Sequence, residues 1–379
     1  MTRSMILANA RLVLCDEIVE GAIAIEDGRI AEILPSRSTG GEDVDGDYLL
    51  PGLVELHTDQ IEGHLNPRSG VVWNAMAAVQ AHDGQVATSG ITTVFDAVRV
   101  GSDENTRADA EAVARLADTI ERAVAEGRLR AEHFVHLRCE VSADDVVEGF
   151  DLLKDHPRLR LVSLMDHAPG QRQFHDMAAL RAYLTDKFKM SEADFEAFAA
   201  ARIAQSEKNA GPHRRAIAAE CQTRGIALAS HDDATIAHVA ESIALGTRIS
   251  EFPTTIAAAE ASRAAGMKVL MGAPNVVRGR SHSGNVSAIQ LLRAGLLDVL
   301  SSDYVPFSLI QAVFTLADTG LVPLPAATRL ASANPGEAAG LADRGRIAAG
   351  LRADLIRVAH QPGEPPVVRA IWRQGKRVA

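Results

Sequence analysis

The sequence predicts an α/β fold, a (β/α)8 TIM barrel carrying a small second domain, on three observations. Short apolar runs alternate with Ala-rich helical runs from residue 50 to about 303. Eight strand-like runs can be counted there, and most end in a polar, chemically useful residue. A repeating βα pattern with buried strands suits a closed barrel or a doubly wound sheet, and eight units favour the barrel.

Each element follows in order. Residues 5–33 read as short strands, MILANARLVL and then GAIAIEDGRIAEIL, with Asp27-Gly28 marking a tight turn. Residues 34–48 are polar and Gly/Asp-rich, so a loop. The barrel strands are then LLPGLVEL, GITTVFDAV, HFVHLRCE, LRLVSLMDH, GIALASHDD, TRISEFP, MKVLMGAP and LDVLSSD. Helical candidates such as TRADAEAVARLADTIERAVAEG and ASRAAG lie between them. The stretch 170–210 exceeds an ordinary connection and reads as one or two helices after a loop, placed to cover the mouth. From Gly345 strand signals return, in GRIAAGLRADLIRVAH and VVRAIWRQGKRVA, and join the N-terminal strands. The expected division is 1–49 plus 341–379 for the small domain and 50–340 for the barrel.

Composition narrows the function. The 379 residues, 47% hydrophobic and 23% charged, suffice for a large α/β domain and a small one. A formal net charge of −10 argues against nucleic-acid binding, and 4% aromatics argue against a stacking platform. A local basic pocket or bound cations can still hold a small anion. Cys15, Cys139 and Cys221 are too few and scattered for a disulfide framework and suggest a reducing compartment. Asn9, Arg11, Asp16 and Glu17 interrupt the first apolar stretch, which therefore reads as a strand and not a signal peptide. No run of about 18 apolar residues argues for a membrane span, so the cytoplasm is the default location.

The chemistry begins in LPGLVELHTDQIEGHLNPR (50–68), where an imidazole and a carboxylate stand two residues apart as a buried strand ends. Residues i and i+2 of a strand share a side, so His57 and Asp59 can face one point. Barrel strands converge at their C-terminal ends, which brings Glu140, His167, His231 and Asp303 to the same opening. Three imidazoles and three carboxylates suit Zn²⁺, with Mn²⁺ or Fe²⁺ as alternatives. Glu140 is the natural bridge between two metals. Asp303 is placed to bind a metal and to take a proton from the attacking water. A single strand-end His ordinarily serves structure, and a single Asp ordinarily caps the next helix; six such residues on successive units need another explanation. Asp232 reads as orienting His231 from behind, and Asp96 as a similar carboxylate or a cap. Asp233 reads as the cap of ATIAHVAESI. His64, His82 and His136 are weaker candidates, with His82 linking loops near the mouth, and His238 is structural.

Basic residues lie near the same strand ends: Arg68, Arg138, Arg172, Arg278 and Arg280, with His282 nearby. The Gly-rich segment GAPNVVRGRSHSGN (272–285) can turn backbone N–H groups toward an anion while arginines clamp its oxygens. It is not a P-loop, because GxxxxGK[ST] is missing. From the residues alone, the reading is metal-dependent hydrolysis of a substrate bearing phosphates.

Here the chain resembles a family. LPGLVELHTD (50–59), SGITTVFDAV (89–98), EHFVHLRCE (132–140) and LSSDYVPFSL (300–309) are similar to the amidohydrolase superfamily. MDHAPGQRQF, SHDDAT and MGAPNVVRG resemble its PhnM-type subgroup, diphosphatases of phosphonate catabolism, and the likeness covers nearly the whole chain. The resemblance implies a barrel with a β-sandwich built from both chain ends. It implies His57-x-Asp59 where the superfamily usually has HxH, Glu140 as the bridging ligand, and His167, His231 and Asp303 in the remaining metal and base positions. On the strand count above, His167 and His231 fall one strand earlier than in the superfamily scheme. The implied reaction converts α-D-ribose 1-methylphosphonate 5-triphosphate and water to the 5-phosphate and pyrophosphate. A homodimer and a functional partnership with carbon–phosphorus lyase pathway proteins are implied as well. The competing readings are a hydrolase or deaminase of a C–N bond, a triphosphate diphosphatase of broader specificity, and a non-catalytic metal-containing component of a phosphonate-processing complex.

Overall fold

The computed structural model describes residues 4–35, 40–102, 109–172, 192–281 and 284–379. His282 and most of the 170–191 stretch therefore lie outside the described residues.

The N-terminal strands are β1 (Ser4–Val13), β2 (Ile18–Glu26), β3 (Arg29–Leu34), β4 (Glu42–Asp43) and β5 (Tyr48–Pro51). Asp27-Gly28 turns β2 into β3 with both residues at positive φ, 46° and 81°, as a two-residue hairpin requires. The barrel strands follow: β6 (Leu53–Thr58), β7 (Ile91–Val100), β8 (Glu132–Glu140), β9 (Leu159–Met165), β10 (Ala227–His231), β11 (Ile249–Glu251), β12 (Lys268–Gly272) and β13 (Val299–Ser301). β14 (Leu355–Ala359), β15 (Val367–Arg373) and β16 (Lys376–Arg377) end the chain.

The first and last groups form one mixed sheet, ordered β16-β15-β14-β5-β1-β2-β3, with β4 on β1. β5 pairs antiparallel with β14, so the two chain ends meet within a sheet. Gly52 is the step from that sheet into the barrel. A Cβ there would lie 2.2 Å from Thr92 Oγ1, so no larger residue fits the crossing.

The second sheet runs β13-β12-β11-β10-β9-β8-β7-β6, all parallel. A parallel bridge between Thr58 and Asp303 joins its two ends, with Asp303 N donating to the His57 carbonyl at 3.0 Å. Each of the eight strands falls on one of the eight runs read from the sequence, but Leu49–Pro51 of the first run belong to β5 of the mixed sheet, and the expected loop 34–48 contains β4. The early positions of His167 and His231 are thus properties of this chain and not a miscounted strand.

Alternation along the strands builds the site. Leu56, Phe95, Phe134, Leu161, Ala229 and Ile249 pack together in one buried cluster inside the barrel. Two residues further along four of those strands, the same-side positions are His136, Ser163, His231 and Glu251, all buried. The interior thus turns from apolar to polar as it nears the mouth. On β6 the register with β7 shifts between Glu55 and Thr58, an irregularity of the kind that re-aims a side chain. It brings the His57 ring against His136 and His231.

A helix at Glu192–Arg224 follows the long connection. Arg202, Ser206, Asn209 and His213 fall on one face at helical spacing. They bond Ser142, Asp166, the Ser142 carbonyl and the Val141 carbonyl. The helix is therefore fastened by polar groups to the loops after β8 and β9. The helices at Ile236–Ala244 and Ile256–Ala264 are capped by Thr235 and Thr255. Asp233, expected as a cap, instead takes Arg172 and Ser242.

Candidate metal centre

The mouth encloses a cavity of about 290 Å³ bordered by His57, His167, His231, Asp232 and Asp303, with Arg138, Arg278 and Arg280. Four of the predicted metal residues and three of the predicted arginines therefore meet there, as does Asp232.

His231 ends β10 and His167 lies two residues past β9. Each has its Nδ1 on a buried carboxylate: His231 donates to Glu251 Oε2 at 3.2 Å, and His167 donates to Glu140 Oε2 at 2.7 Å. An ionised carboxylate only accepts, so both rings carry their proton on Nδ1 and present Nε2 as the lone-pair nitrogen. Both Nε2 atoms turn toward Asp232 Oδ2, from 3.4 Å for His231 and 3.8 Å for His167. That oxygen is buried and accepts no hydrogen bond among the described residues. Two imidazole lone pairs and an unsatisfied carboxylate oxygen facing one spot form a donor set that a divalent cation satisfies. Imidazoles held from behind by carboxylates are the usual support of such a set.

Glu140 has a different position from the one expected. Its oxygens accept His167 Nδ1, His167 N and Ser142 Oγ, and Arg99 Nη2 lies 3.3 Å away. Burial would raise its carboxyl, but His167 and Arg99 outweigh burial and hold it far below the usual carboxylate range. It stands behind His167 and does not border the cavity. Asp232, expected behind His231, is the carboxylate in front.

His57 forms the other side. Its Nδ1 donates to Glu251 Oε1 at 3.2 Å, and its ring stacks on His231 with centroids 5.5 Å apart. Asp303 stands two residues past β13 at φ 54°. Burial raises its carboxyl and Asp59 adds to the rise, while His57 and Arg138 oppose it. Asp59 begins the helix Gln60–Leu65 without a capping bond. Its carboxylate lies 3.4 Å from Arg138 Nη1, so it meets the site through that guanidinium and does not border the cavity.

Three further predicted residues, Arg172, Arg68 and Asp96, stand apart from this group. Arg172 is 2% exposed and is locked to Asp233 and to Glu241 at 2.9 Å, beside Arg214, which pairs with Asp166 at 3.0 Å. It belongs to a buried ion network behind the mouth and cannot reach a substrate. Arg68 is exposed on the loop after the first short helix and does not border the cavity. Asp96 also lies elsewhere. It accepts from His82 Nε2 at 2.7 Å and His133 Nδ1 at 2.8 Å, and His133 Nε2 reaches Asp83 at 3.3 Å. This network joins the barrel wall to the helix Ala75–Thr88, so His82 is a wall residue and not a link between loops.

The sequence reading passed over Glu251, which ends β11 within TRISEFP as Glu140 ends β8, so the strand-end signal was present. It is fully buried and accepts from His57, His231 and Ser163 Oγ, the last at 2.5 Å. Burial would raise its carboxyl, but His57 and His136 outweigh burial and hold it well below the usual range. Glu55 was passed over too. It lies buried in an apolar run and accepts from Ser301 Oγ, Ser302 N and His57 N, tying the seam between β13 and β6. His136 is neutral ground between strands: its Nδ1 donates to the Leu56 carbonyl and its Nε2 meets Ser163.

Among the described residues, three groups of His and carboxylate converge closely enough to hold a metal ion: His57, His136 and Glu251; His167, His231 and Asp232; and, in the wall, His82, Asp96 and His133.

Over 378 residues the chain is 47% identical to α-D-ribose 1-methylphosphonate 5-triphosphate diphosphatase of Escherichia coli (strain K12), covering 99% of this chain and 100% of the relative. No protein-family model matches. Among solved structures, A. niger ochratoxinase superposes with a TM-score of 0.66 at 15% identity, covering 100% of this chain and 96% of the other. An N-acetyl-D-glucosamine-6-phosphate deacetylase from Mycobacterium smegmatis superposes with a TM-score of 0.63 at 16% identity, covering 99% of each chain. These structural likenesses establish the fold.

Proposed function

Because the chain belongs to the α-D-ribose 1-methylphosphonate 5-triphosphate diphosphatase family, we propose how its mouth performs that hydrolysis, releasing pyrophosphate and leaving the 5-phosphate. The observation that supports this assignment of residues is the pair of Nδ1-held imidazoles turned on the unsatisfied Asp232 oxygen, with arginines on the same cavity wall.

In this reading His167, His231 and Asp232 hold one divalent cation. His57 and Asp303 would hold a second, with Asp59 acting on it through Arg138, and mixed imidazole and carboxylate donors suit Zn²⁺. When bound, such cations supply Lewis acidity and offset the charge of the phosphates. Glu140 and Glu251 keep the ligating rings in place from behind. Asp303, at the cavity edge, accepts the proton of the attacking water at its carboxylate. Arg138, Arg278 and Arg280 bind phosphate oxygens and stabilise the charge that gathers on the leaving pyrophosphate. Arg278 and Arg280 are exposed and make no ion pair among the described residues, so their charge is available to a polyanion. Three guanidiniums on one wall suit a substrate that carries several phosphates. Homodimerisation, a cytoplasmic setting and partnership with carbon–phosphorus lyase pathway proteins belong to the same reading.

The test is pyrophosphate release from ribose 5-triphosphates with and without a 1-methylphosphonate, on protein whose metal content has been measured. Pyrophosphate formed only with the phosphonate is the expected result. Metal-loaded protein that cleaves an amide and no triphosphate would overturn the reading.

A further inference from the structure

Two consecutive residues at the end of β11 both act on the same pair of imidazoles. Glu251 Oε1 accepts from His57 Nδ1 and Oε2 accepts from His231 Nδ1, each at 3.2 Å. The Phe252 ring then meets both rings edge-on, with centroids 5.1 Å from His57 at 86° and 5.3 Å from His231 at 78°. Neighbouring residues of a strand point to opposite sides, so ordinary backbone cannot bring both side chains to one target. Phe252 has φ 53°, a left-handed conformation that is an outlier for a bulky side chain. That turn aims the phenyl ring back over the imidazoles that Glu251 holds. The next backbone link, Phe252 N to the Leu270 carbonyl at 2.8 Å, fixes the turn on β12. Strain of this kind persists where the surroundings over-determine it, and it gathers at functional sites.

We propose that Glu251-Phe252 is the positioning element of the centre: Glu251 sets one tautomer in both His57 and His231, and Phe252 wedges their edges so the rings cannot turn. The inference rests on the metal-centre reading above. Its chemistry is specific. A carboxylate offers an acceptor to each ring, so both keep their proton on Nδ1 and leave Nε2 for a cation. A glutamine in its place offers one acceptor oxygen and, on the other side, an NH₂ group that only donates. One imidazole then faces a donor, must accept on Nδ1, and carries its proton on Nε2, where it cannot ligate.

The test uses Co²⁺ alone, without substrate. Affinity is read by competition with a chelator and geometry by the visible cobalt spectrum. Long-range ¹H–¹⁵N spectra of the metal-free protein read the imidazole tautomers. Glu251→Gln is expected to convert one of the two rings to the Nε2–H form and to weaken Co²⁺ binding by about 10–100-fold, the usual effect of losing a carboxylate behind a ligating imidazole. Phe252→Gly relieves the backbone strain while removing the wedge. It is expected to keep the melting temperature near that of the parent yet to lower Co²⁺ affinity and alter the cobalt spectrum, and it carries the test should Glu251→Gln fail to fold. Parent-like Co²⁺ affinity and unchanged tautomers in Glu251→Gln, or a parent-like cobalt spectrum in Phe252→Gly, would overturn the proposal. Parent protein that binds Co²⁺ but releases no pyrophosphate would sink the diphosphatase assignment and leave this measurement standing.

Discussion

Arg278 and Arg280 stand exposed at the cavity wall, whereas Arg172 is buried between two carboxylates. The same substitution should therefore fail in two different ways. Arg278→Ala or Arg280→Ala removes a charged hydrogen-bond donor worth about 1.5–3 kcal/mol. Either is expected to raise KM for the triphosphate by roughly 10–100-fold at unchanged melting temperature, as steady-state kinetics and a thermal scan would show. Arg172→Ala leaves Asp233 buried and unpaired, which costs about 3–5 kcal/mol. It should appear as a lowered melting temperature, and a KM increase without loss of stability would contradict the ion network. The sequence made this distinction illegible. All three arginines follow strand ends, and only the distant Asp233 and Glu241 decide which one is consumed by the fold. Strand-end position did suffice for His57, His167, His231 and Asp303, because a parallel barrel makes those ends converge whatever the loops do. It did not foretell that Asp232 borders the cavity and Glu140 does not, since which carboxylate stands in front of an imidazole and which behind depends on turns of one or two residues.

Among the elements, the helix at Glu192–Arg224 shows what periodicity conveys and what it hides. A helix was expected in 170–210 from composition, but its barrel-facing stripe mixes polar Arg202, Ser206, Asn209 and His213 with apolar Phe195, Ala210, Ile217 and Cys221, so hydrophobicity alone only half announces which side packs inward. The stripe fastens the loops that carry Ser142 and Asp166, and Ser142 in turn donates to Glu140 at 2.8 Å. Asn209→Ala strands the buried Ser142 carbonyl, at about 1–3 kcal/mol. Because that loop also positions Glu140 behind His167, the variant should lose metal affinity along with stability. A chelator competition on the variant checks this, and stability loss at full metal affinity would show that the helix is only a cover. The eight barrel strands were legible because each is a short apolar run ended by a polar residue. The pairing of β5 with β14 was less so, because nothing local in Tyr48–Pro51 names a partner some three hundred residues away.

For the whole molecule, two groups of buried charges set the pH range of stability. In the wall, burial opposes ionisation of Asp96, but His133 and His82 outweigh it and take its carboxyl to about 2. Burial likewise disfavours the His133 imidazolium, but Asp96 and Asp83 outweigh it and push the ring to about 9. At the sheet–barrel seam, burial of Glu132 is outweighed by Arg352 and Arg344, at 2.5 and 2.6 Å, and its carboxyl falls to about 2. The signs follow from linkage. The two carboxylates contribute stability that is present above their unfolded values near 4 and lost as pH falls through about 2. His133 contributes stability that is present below its unfolded value near 6.5 and lost as pH rises through about 9. Melting temperature should thus be highest between about pH 4.5 and 6.5. Asp96→Asn should flatten the decline between pH 6.5 and 9 because His133 loses its main partner. A decline as steep as the parent's would show that the wall network does not govern the alkaline side.

The bridge between Thr58 and Asp303 has a consequence for how the protein is made. Those two residues are 245 positions apart, and the ring they close is where His57 and Asp303 first share a cavity. A ribosome that has emitted β6 through β12 has exposed most of the imidazoles without the last stave that assembles them. The pairing of His57 with Asp303 is therefore a late event in biosynthesis, and a chain broken off before residue 303 would keep His167, His231 and Asp232 but lack that second half of the mouth.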